Sequence, residues 1–248
     1  MLNIENEDFS NKVVLEVGNG RGDTTRKLVY LLAETPGAQL IVTDISDKFF
    51  QQLHTEFQSK NIQIKFIRSG ACELQGIPDG SIDFLICNYT LCAVNSQAGL
   101  ANLALKRFWE VLKSGGKLFI EEEFPISKQT TPLQEIWAEK WRILKSALIL
   151  AGQFSYNEIA PEVLTDLCHL IGFEKVEWTE EAEIYHEVEV LDFFQKRLKV
   201  LLKEIPDENL RAGFTEMAVN LRNKAVQVGG MEIPYYRFVA QKGNAEPR

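Results

Sequence analysis

Short apolar or β-branched runs alternate with stretches of helical spacing over the first half of the chain. Val13–Val17 is a buried-strand run that ends in glycines, and Thr24–Ala33 follows it with Leu28, Leu31 and Leu32 on one helical face. Leu40–Thr43 predicts a second strand, Lys48–Gln58 a helix with Phe49, Leu53 and Phe57 in a stripe, and Ile62–Ile67 a third strand. The turn Pro78-Asp79-Gly80-Ser81 introduces a strand over Ile82–Cys87. Leu100–Leu112 reads as a helix stopped by Ser114-Gly115-Gly116, and Leu118–Glu121 as a strand closed by Pro125. This alternation predicts a Rossmann-like, doubly wound α/β fold: a seven-stranded, mostly parallel sheet with helices on both faces.

Beyond Pro125 the alternation weakens. Pro132–Leu150 predicts a helix carrying Trp137 and Trp141, Pro161–Ile171 another ended by Gly172, and Glu174–Trp178 a strand. Helical spacing returns over Val188–Leu202 and Asp207–Val226, and Tyr235–Ala240 is a last strand after Gly229-Gly230 and Pro234. The stretch Glu174–Asp192 holds eight acidic residues and one lysine, the pattern of a solvated face. No repeat, low-complexity segment or linker stands out. The expected organisation is a core over 1–125, covering helices with the remaining core helix and strand over 126–234, and a last strand and tail over 235–248.

Composition narrows the class. The 248 residues include 27 Lys+Arg and 35 Asp+Glu, for a formal charge of −8, with 45% hydrophobic and 25% charged residues. These values exclude a disordered chain, a collagen-like repeat and a small disulfide scaffold. The acidity argues against nucleic acid held by phosphate neutralisation. Met1–Lys12 lacks a signal pattern, and the longest apolar candidate, Ala147–Gly152, falls far short of the ~20 residues that span a bilayer. Cys72, Cys87, Cys92 and Cys168 have no metal-ligand spacing and read as reduced thiols, so a cytoplasmic protein with no metal and no membrane contact is expected.

The informative segment is Glu16-Val17-Gly18-Asn19-Gly20-Arg21-Gly22. Closely spaced glycines between a strand and a helix let backbone approach a ligand and aim helix N–H groups at it. The dinucleotide pattern G-x-G-x-x-G would need a third glycine at position 23, where Asp23 would repel a pyrophosphate. A phosphate loop G-x-x-x-x-G-K-[ST] is absent. Glu16 suits a cationic group instead, and Asp44, at the end of the second strand, suits two ribose hydroxyls. An adenosyl ligand with a cationic side arm satisfies both features.

Four blocks in order give the chain a resemblance to the class I S-adenosylmethionine-dependent methyltransferases, in the small-molecule group that includes the ubiquinone and menaquinone biosynthesis C-methyltransferases. They are Glu16–Gly22, Val42-Thr43-Asp44-Ile45-Ser46, Pro78–Phe84 and Phe108–Leu118, and the likeness covers about residues 13–125. The resemblance implies S-adenosylmethionine as donor and S-adenosylhomocysteine as product. Gly18, Asn19, Gly20 and Gly22 would shape the methionine-side loop, and Asp44 would hold the ribose with Ile45 on the adenine. Ala71 and Cys72 would line the adenine edge, while Asn88 and Tyr89 would face the sulfur. Two departures stand out. Gly70 replaces an aspartate the family often places before the alanine to accept from the adenine amino group, so that either Glu73 or a backbone carbonyl replaces it or adenine selectivity is weaker. Leu91-Cys92-Ala93-Val94 replaces the family's Leu-His-His-Val, removing two proton acceptors.

Methyl transfer from a sulfonium needs alignment and water exclusion, and a base only where the nucleophile must lose a proton. The candidates are Tyr89, Glu122, His169 and His186, each also explicable as packing or capping; His54 reads as a surface residue. Few residues precede the first strand, so the acceptor's cover is expected from Phe124–Tyr156 and from the insertion between Trp178 and Tyr235. These helices would form a lid or, alternatively, a dimer interface, leaving monomer and homodimer open. The expected function is methyl transfer to a small or medium-sized acceptor at O, N or C. A nucleic-acid or protein methyltransferase is the alternative, disfavoured because Asn88-Tyr89-Thr90-Leu91 lacks the prolines of the base-gripping tetrapeptide. A non-catalytic module that binds the donor is a third reading.

Overall fold

The structure is a computed structural model, and it describes residues 4–97, 99–127 and 129–243; the tail beyond 243 expected with the last strand lies outside them. Seven strands form one sheet in the order β3-β2-β1-β4-β5-β7-β6. They are β1 (Val13–Val17), β2 (Gln39–Asp44), β3 (Gln63–Arg68), β4 (Ile82–Ile86), β5 (Leu112–Glu123), β6 (Phe173–Tyr185) and β7 (Met231–Lys242). The helices are α1 (Asp23–Leu32), α2 (Phe50–Phe57), the one-turn α3 (Leu91–Val94), α4 (Leu100–Val111), α5 (Pro132–Leu150), α6 (Pro161–Ile171), α7 (Asp192–Leu201) and α8 (Glu208–Val228).

The first five strands pair in parallel, with Val13 opposite Gln39, Leu40 opposite Ile64 and Leu15 opposite Leu85. β7 runs antiparallel to β5. Gln241 and Lys242 reach the carbonyls of Gly115 and Leu112, Arg237 reaches Glu121, and Phe124 N donates to Pro234 O. The order reverses direction at β1, the switch point whose carboxyl-end crevice is the usual ligand position in open α/β sheets.

The chain divides into two compact units. The first holds residues 1–122, 159–179 and 237–248, and the second holds 123–158 and 180–236. In the first, period-two alternation sends Val14, Leu40, Val42, Phe84, Ile86 and Phe119 into a core with Leu28, Val29 and Leu32 of α1 and Leu53 and Phe57 of α2. Leu15, Leu85 and Leu118 alternate to the other face and are completely buried, as are Leu105 and Phe108 of α4. The second unit builds a core of its own from α5, α7 and α8, burying Trp137, Leu144, Leu148, Phe194, Leu198 and Leu221. Its helices start on side-chain caps: the Thr131 hydroxyl accepts from Gln134 N at 3.1 Å, and Asp207 accepts from Leu210 N at 2.9 Å. The Trp137 and Trp141 indoles both donate to Glu123. None of the described helices is long and apolar enough to cross a membrane.

The last three strands are longer than their apolar runs suggest, β7 running over Met231–Lys242 rather than 235–240. β5 begins at Leu112, directly after α4, because Ser114-Gly115-Gly116 forms an irregularity inside the strand rather than a gap before it. The register with β4 jumps from Ile82↔Leu112 to Phe84↔Lys117. A side chain at Gly116 would lie 2.9 Å from Lys113 O and 3.1 Å from Asp83 O, so only glycine fits. β6, expected over 174–178, continues to Tyr185 as the outer strand of the sheet, and its exposed glutamates blunt an edge that could otherwise pair with another chain. Helical spacing over 188–202 resolves into a 3₁₀ turn (Val188–Leu191) followed by α7.

Candidate active site

At the carboxyl end of β1 the backbone turns on glycines. Gly18 has φ +80°, and a Cβ there would collide with the Thr90 side chain, whose hydroxyl donates to Gly18 O at 3.2 Å. Gly20 and Gly22 are also left-handed, and Gly22 caps α1. Thr43 O accepts from Gly18 N (2.8 Å) and Asn19 N (3.3 Å), while the Thr43 hydroxyl donates to Glu16 O at 3.0 Å. The loop is thereby laced to β2 and to the segment after β4.

Asp44 ends β2 half-buried. One of its oxygens accepts from Gly20 N at 3.0 Å and the other from Ser46 N at 2.9 Å. Ile45, next in sequence, is 76% exposed, an apolar side chain with no packing of its own. Glu16 differs in kind. It is 1% exposed, and among the described residues neither carboxylate oxygen has a hydrogen-bond partner. Burial pushes its pKa up to about 7; Asp44 adds to the rise and neighbouring Thr25 offsets part of it. Asn19 Oδ1 is likewise buried and unpartnered. A buried, uncompensated carboxylate is costly in a finished core and is the chemistry that receives a cation.

The turn after β3 carries Ala71 and Cys72. Cys72 donates its thiol to Leu100 O at 3.5 Å, and its pKa is raised by burial and by Glu73. A Glu73 carboxylate oxygen occupies the space a side chain at Gly70 would take. Arg107 of α4 clamps this turn through Glu73 O (3.0 Å), Ile77 O (2.8 Å) and Asp79 (2.5 Å).

After β4, Asn88 Oδ1 accepts from Glu121 N at 3.0 Å. Tyr89 has φ +49°, an outlier for an aromatic residue, with its N–H on Glu121 O and its hydroxyl donating to Glu121 Oε1 at 2.9 Å. Arg237 Nε binds the other Glu121 oxygen at 3.1 Å. Glu122 is buried and accepts from Cys92 N at 3.2 Å.

The fold therefore brings Glu16, the glycine loop, Asp44, Asn88, Tyr89 and Glu122 to the carboxyl ends of adjacent strands. His169 is elsewhere: it lies exposed one turn before Gly172, which packs on Trp109 near the start of β5, at the opposite end of the strands. His186 belongs to the second unit and is exposed. His54 is exposed on α2, 6.4 Å from Phe66. Residues that the sequence did not single out are Thr25 beside Glu16, Thr90 against the loop, and the Glu121–Arg237 pair. Only the acidic triplet Glu121-Glu122-Glu123 at the end of a buried strand hinted at any of them.

Comparison with known proteins places the geometry. A family described as "Methyltransferase domain" matches residues 14–116. The ubiquinone/menaquinone biosynthesis C-methyltransferase of Shewanella frigidimarina (strain NCIMB 400) is 27% identical over 177 residues, 67% of this chain and 68% of that protein. Proteins of the same name from Pectobacterium are matched over 49% of their length. Among solved structures, the YcgJ protein from Bacillus subtilis superposes with a TM-score of 0.61 at 12% identity, covering 96% of this chain and 95% of that one. Phosphoethanolamine N-methyltransferase 2 of Haemonchus contortus, solved with phosphomonomethylethanolamine and S-adenosylhomocysteine, gives 0.56 at 16% identity, covering 96% of this chain and 50% of that one.

Proposed function

We propose that this chain is a class I S-adenosylmethionine-dependent methyltransferase that acts on a small-molecule acceptor, with the donor held by the residues around Glu16 and Asp44. The observation that carries the assignment is the orphaned Glu16 carboxylate, which a cationic side arm would complete. Asp44 would take the ribose hydroxyls and Ile45 the adenine face, with Ala71 and Cys72 on the adenine edge. Gly18, Asn19, Gly20 and Gly22 would present backbone to the methionine portion, with Asn88 and Tyr89 toward the sulfur. The bound donor supplies an electrophilic methyl group on a sulfonium, and leaves as a neutral thioether once that group is displaced. The protein's share is to fix the line of approach and keep water out. The acidity of the chain and the small-molecule names of its relatives favour a compact acceptor over a nucleic acid. Four free cysteines, two of them buried, support work in a reducing compartment such as the cytoplasm.

Titration of donor against pH tests the Glu16 assignment. The cation binds the ionised carboxylate, so affinity for S-adenosylmethionine should fall as pH drops below about 7, by up to tenfold per unit. Glu16→Gln should bind more weakly and lose this slope; a variant that keeps the wild-type profile would remove Glu16 from the site. The same group sets a stability trend in the ligand-free protein. Its folded pKa lies above the unfolded value of 4.5, so the folded chain holds the proton more tightly. Its contribution to stability is full below pH 4.5, declines as pH rises toward 7 and is flat above.

Glu73 is assigned the adenine amino group. Glu73→Ala should weaken S-adenosylhomocysteine several-fold and leave its inosine analogue, which lacks that amino group, unchanged. Unchanged binding of S-adenosylhomocysteine would assign the contact to backbone instead, and equal losses for both nucleosides would remove Glu73 from the amino group.

A further inference from the structure

Between β3 and Pro78 the chain makes a bend that its own residues do not favour. Leu74 has φ +43°, in the left-handed region that L side chains rarely adopt, and its side chain is completely buried. Strain of this kind persists only where surrounding contacts over-determine the backbone. Some of those contacts are local. Leu74 N donates to Gly70 O at 3.0 Å, Ile77 N to Leu74 O at 3.1 Å, and Gln75 N to the Ser69 hydroxyl at 2.8 Å.

The others come from α4. The largely buried Arg107 donates from Nε to Glu73 O at 3.0 Å and from Nη2 to Ile77 O at 2.8 Å, two carbonyls that flank Leu74. Its Nη1 meets the carboxylates of Asp79 and Glu110. A rigid planar fork of donors can serve these acceptors together, whereas a lysine ammonium is a point charge on a flexible stem. At the other end of α4, Leu100 O accepts from the Cys72 thiol at 3.5 Å. The bend also starts on the ribose strand, because Ser69 N donates to Asp44 O at 2.9 Å. Residues 71–73 are thereby fixed both to α4 and to the carboxyl end of β2.

Resting on the donor-site reading above, we infer that Arg107 is a positioning residue for nucleobase selection. It holds the strained bend 70–77 in the form that reads the adenine edge, and it acts through residues 71–73 rather than by contact with the base. Discrimination between bases is then set from α4, by a side chain that follows β4 in sequence and serves a turn that precedes it.

Arg107→Lys keeps the positive charge beside Asp79 and removes the fork. Amide hydrogen exchange in the ligand-free protein reads the bend itself: Leu74 and Ile77 should exchange about tenfold faster or more in the variant, with β4 and α4 within about twofold of wild type. Calorimetry reads the consequence. The wild type should bind S-adenosylhomocysteine more tightly than its inosine analogue. Arg107→Lys should weaken the former about tenfold and the latter by no more than about threefold, so that the preference shrinks. Wild-type exchange at Leu74 and Ile77, equal losses for the two nucleosides, or a wild-type protein without the preference would each overturn the assignment. Failure of the wild-type protein to bind S-adenosylhomocysteine at all would sink the donor-site reading instead, and the exchange measurement, run without ligand, still decides whether Arg107 holds the bend.

Discussion

Asp44→Ala should reduce affinity for S-adenosylhomocysteine on the order of 100-fold by calorimetric titration. Two hydrogen bonds from ribose hydroxyls to an ionised acceptor contribute about 1.5–3 kcal/mol each, so losing both, with some recovery by water, leaves about 3 kcal/mol. The carboxylate is already oriented, because its two oxygens accept from Gly20 N and Ser46 N, and each oxygen keeps a further lone pair for a ligand. The substitution therefore removes both a ligand contact and a support of the glycine loop. Asp44→Asn separates the two: it retains one oxygen for the loop or the ribose and should cost nearer tenfold. Wild-type affinity in Asp44→Ala would mean that the nucleoside sits elsewhere.

Gly18→Ala should destabilise the fold by about 2–5 kcal/mol in urea denaturation. The left-handed backbone costs an alanine about 1–2 kcal/mol, and driving Thr90 aside adds an overpacking cost of about 1–3 kcal/mol. The two contributions can be separated, since only the second depends on Thr90. In a Thr90→Ala background the same change should cost about 1 kcal/mol less or better, which a double-mutant cycle measures directly. Full additivity would show that the loop and the segment after β4 are independent, contrary to the hydrogen bond between Thr90 and Gly18.

Much of the frame is legible in the sequence because it follows from local rules. Apolar or alternating runs of four to six residues located β1 to β4, and the glycine cluster between Val17 and Asp23 marked where backbone must turn near a ligand. The same rules misplace the start of β5. Ser114-Gly115-Gly116 has the composition of a helix stop, and only the register against β4 shows that it is an irregularity within a strand. Pairings across long separations are invisible for a related reason. Period-two alternation says that Glu121 faces away from Glu122, but nothing in it says that Tyr89 and Arg237 will meet that carboxylate. Helical amphipathicity in α5, α7 and α8 shows that each buries a stripe, and not what lies against it. Of the candidate bases, His169 sits at the far end of the strands and His186 in the second unit, while Tyr89 and Glu122 lie at the carboxyl ends beside the glycine loop.

The end of β5 gives three consecutive glutamates three separate duties: Glu121 to Tyr89 and Arg237, Glu122 to Cys92 N, and Glu123 to two indoles. Deleting one residue between 117 and 120 would hand every duty to the wrong carboxylate at once. An added residue at the irregularity over 113–116, already out of step with β4, would bring no such reassignment. Remodelling this enzyme by changes of chain length is therefore feasible at the entrance of that strand and closed at its exit.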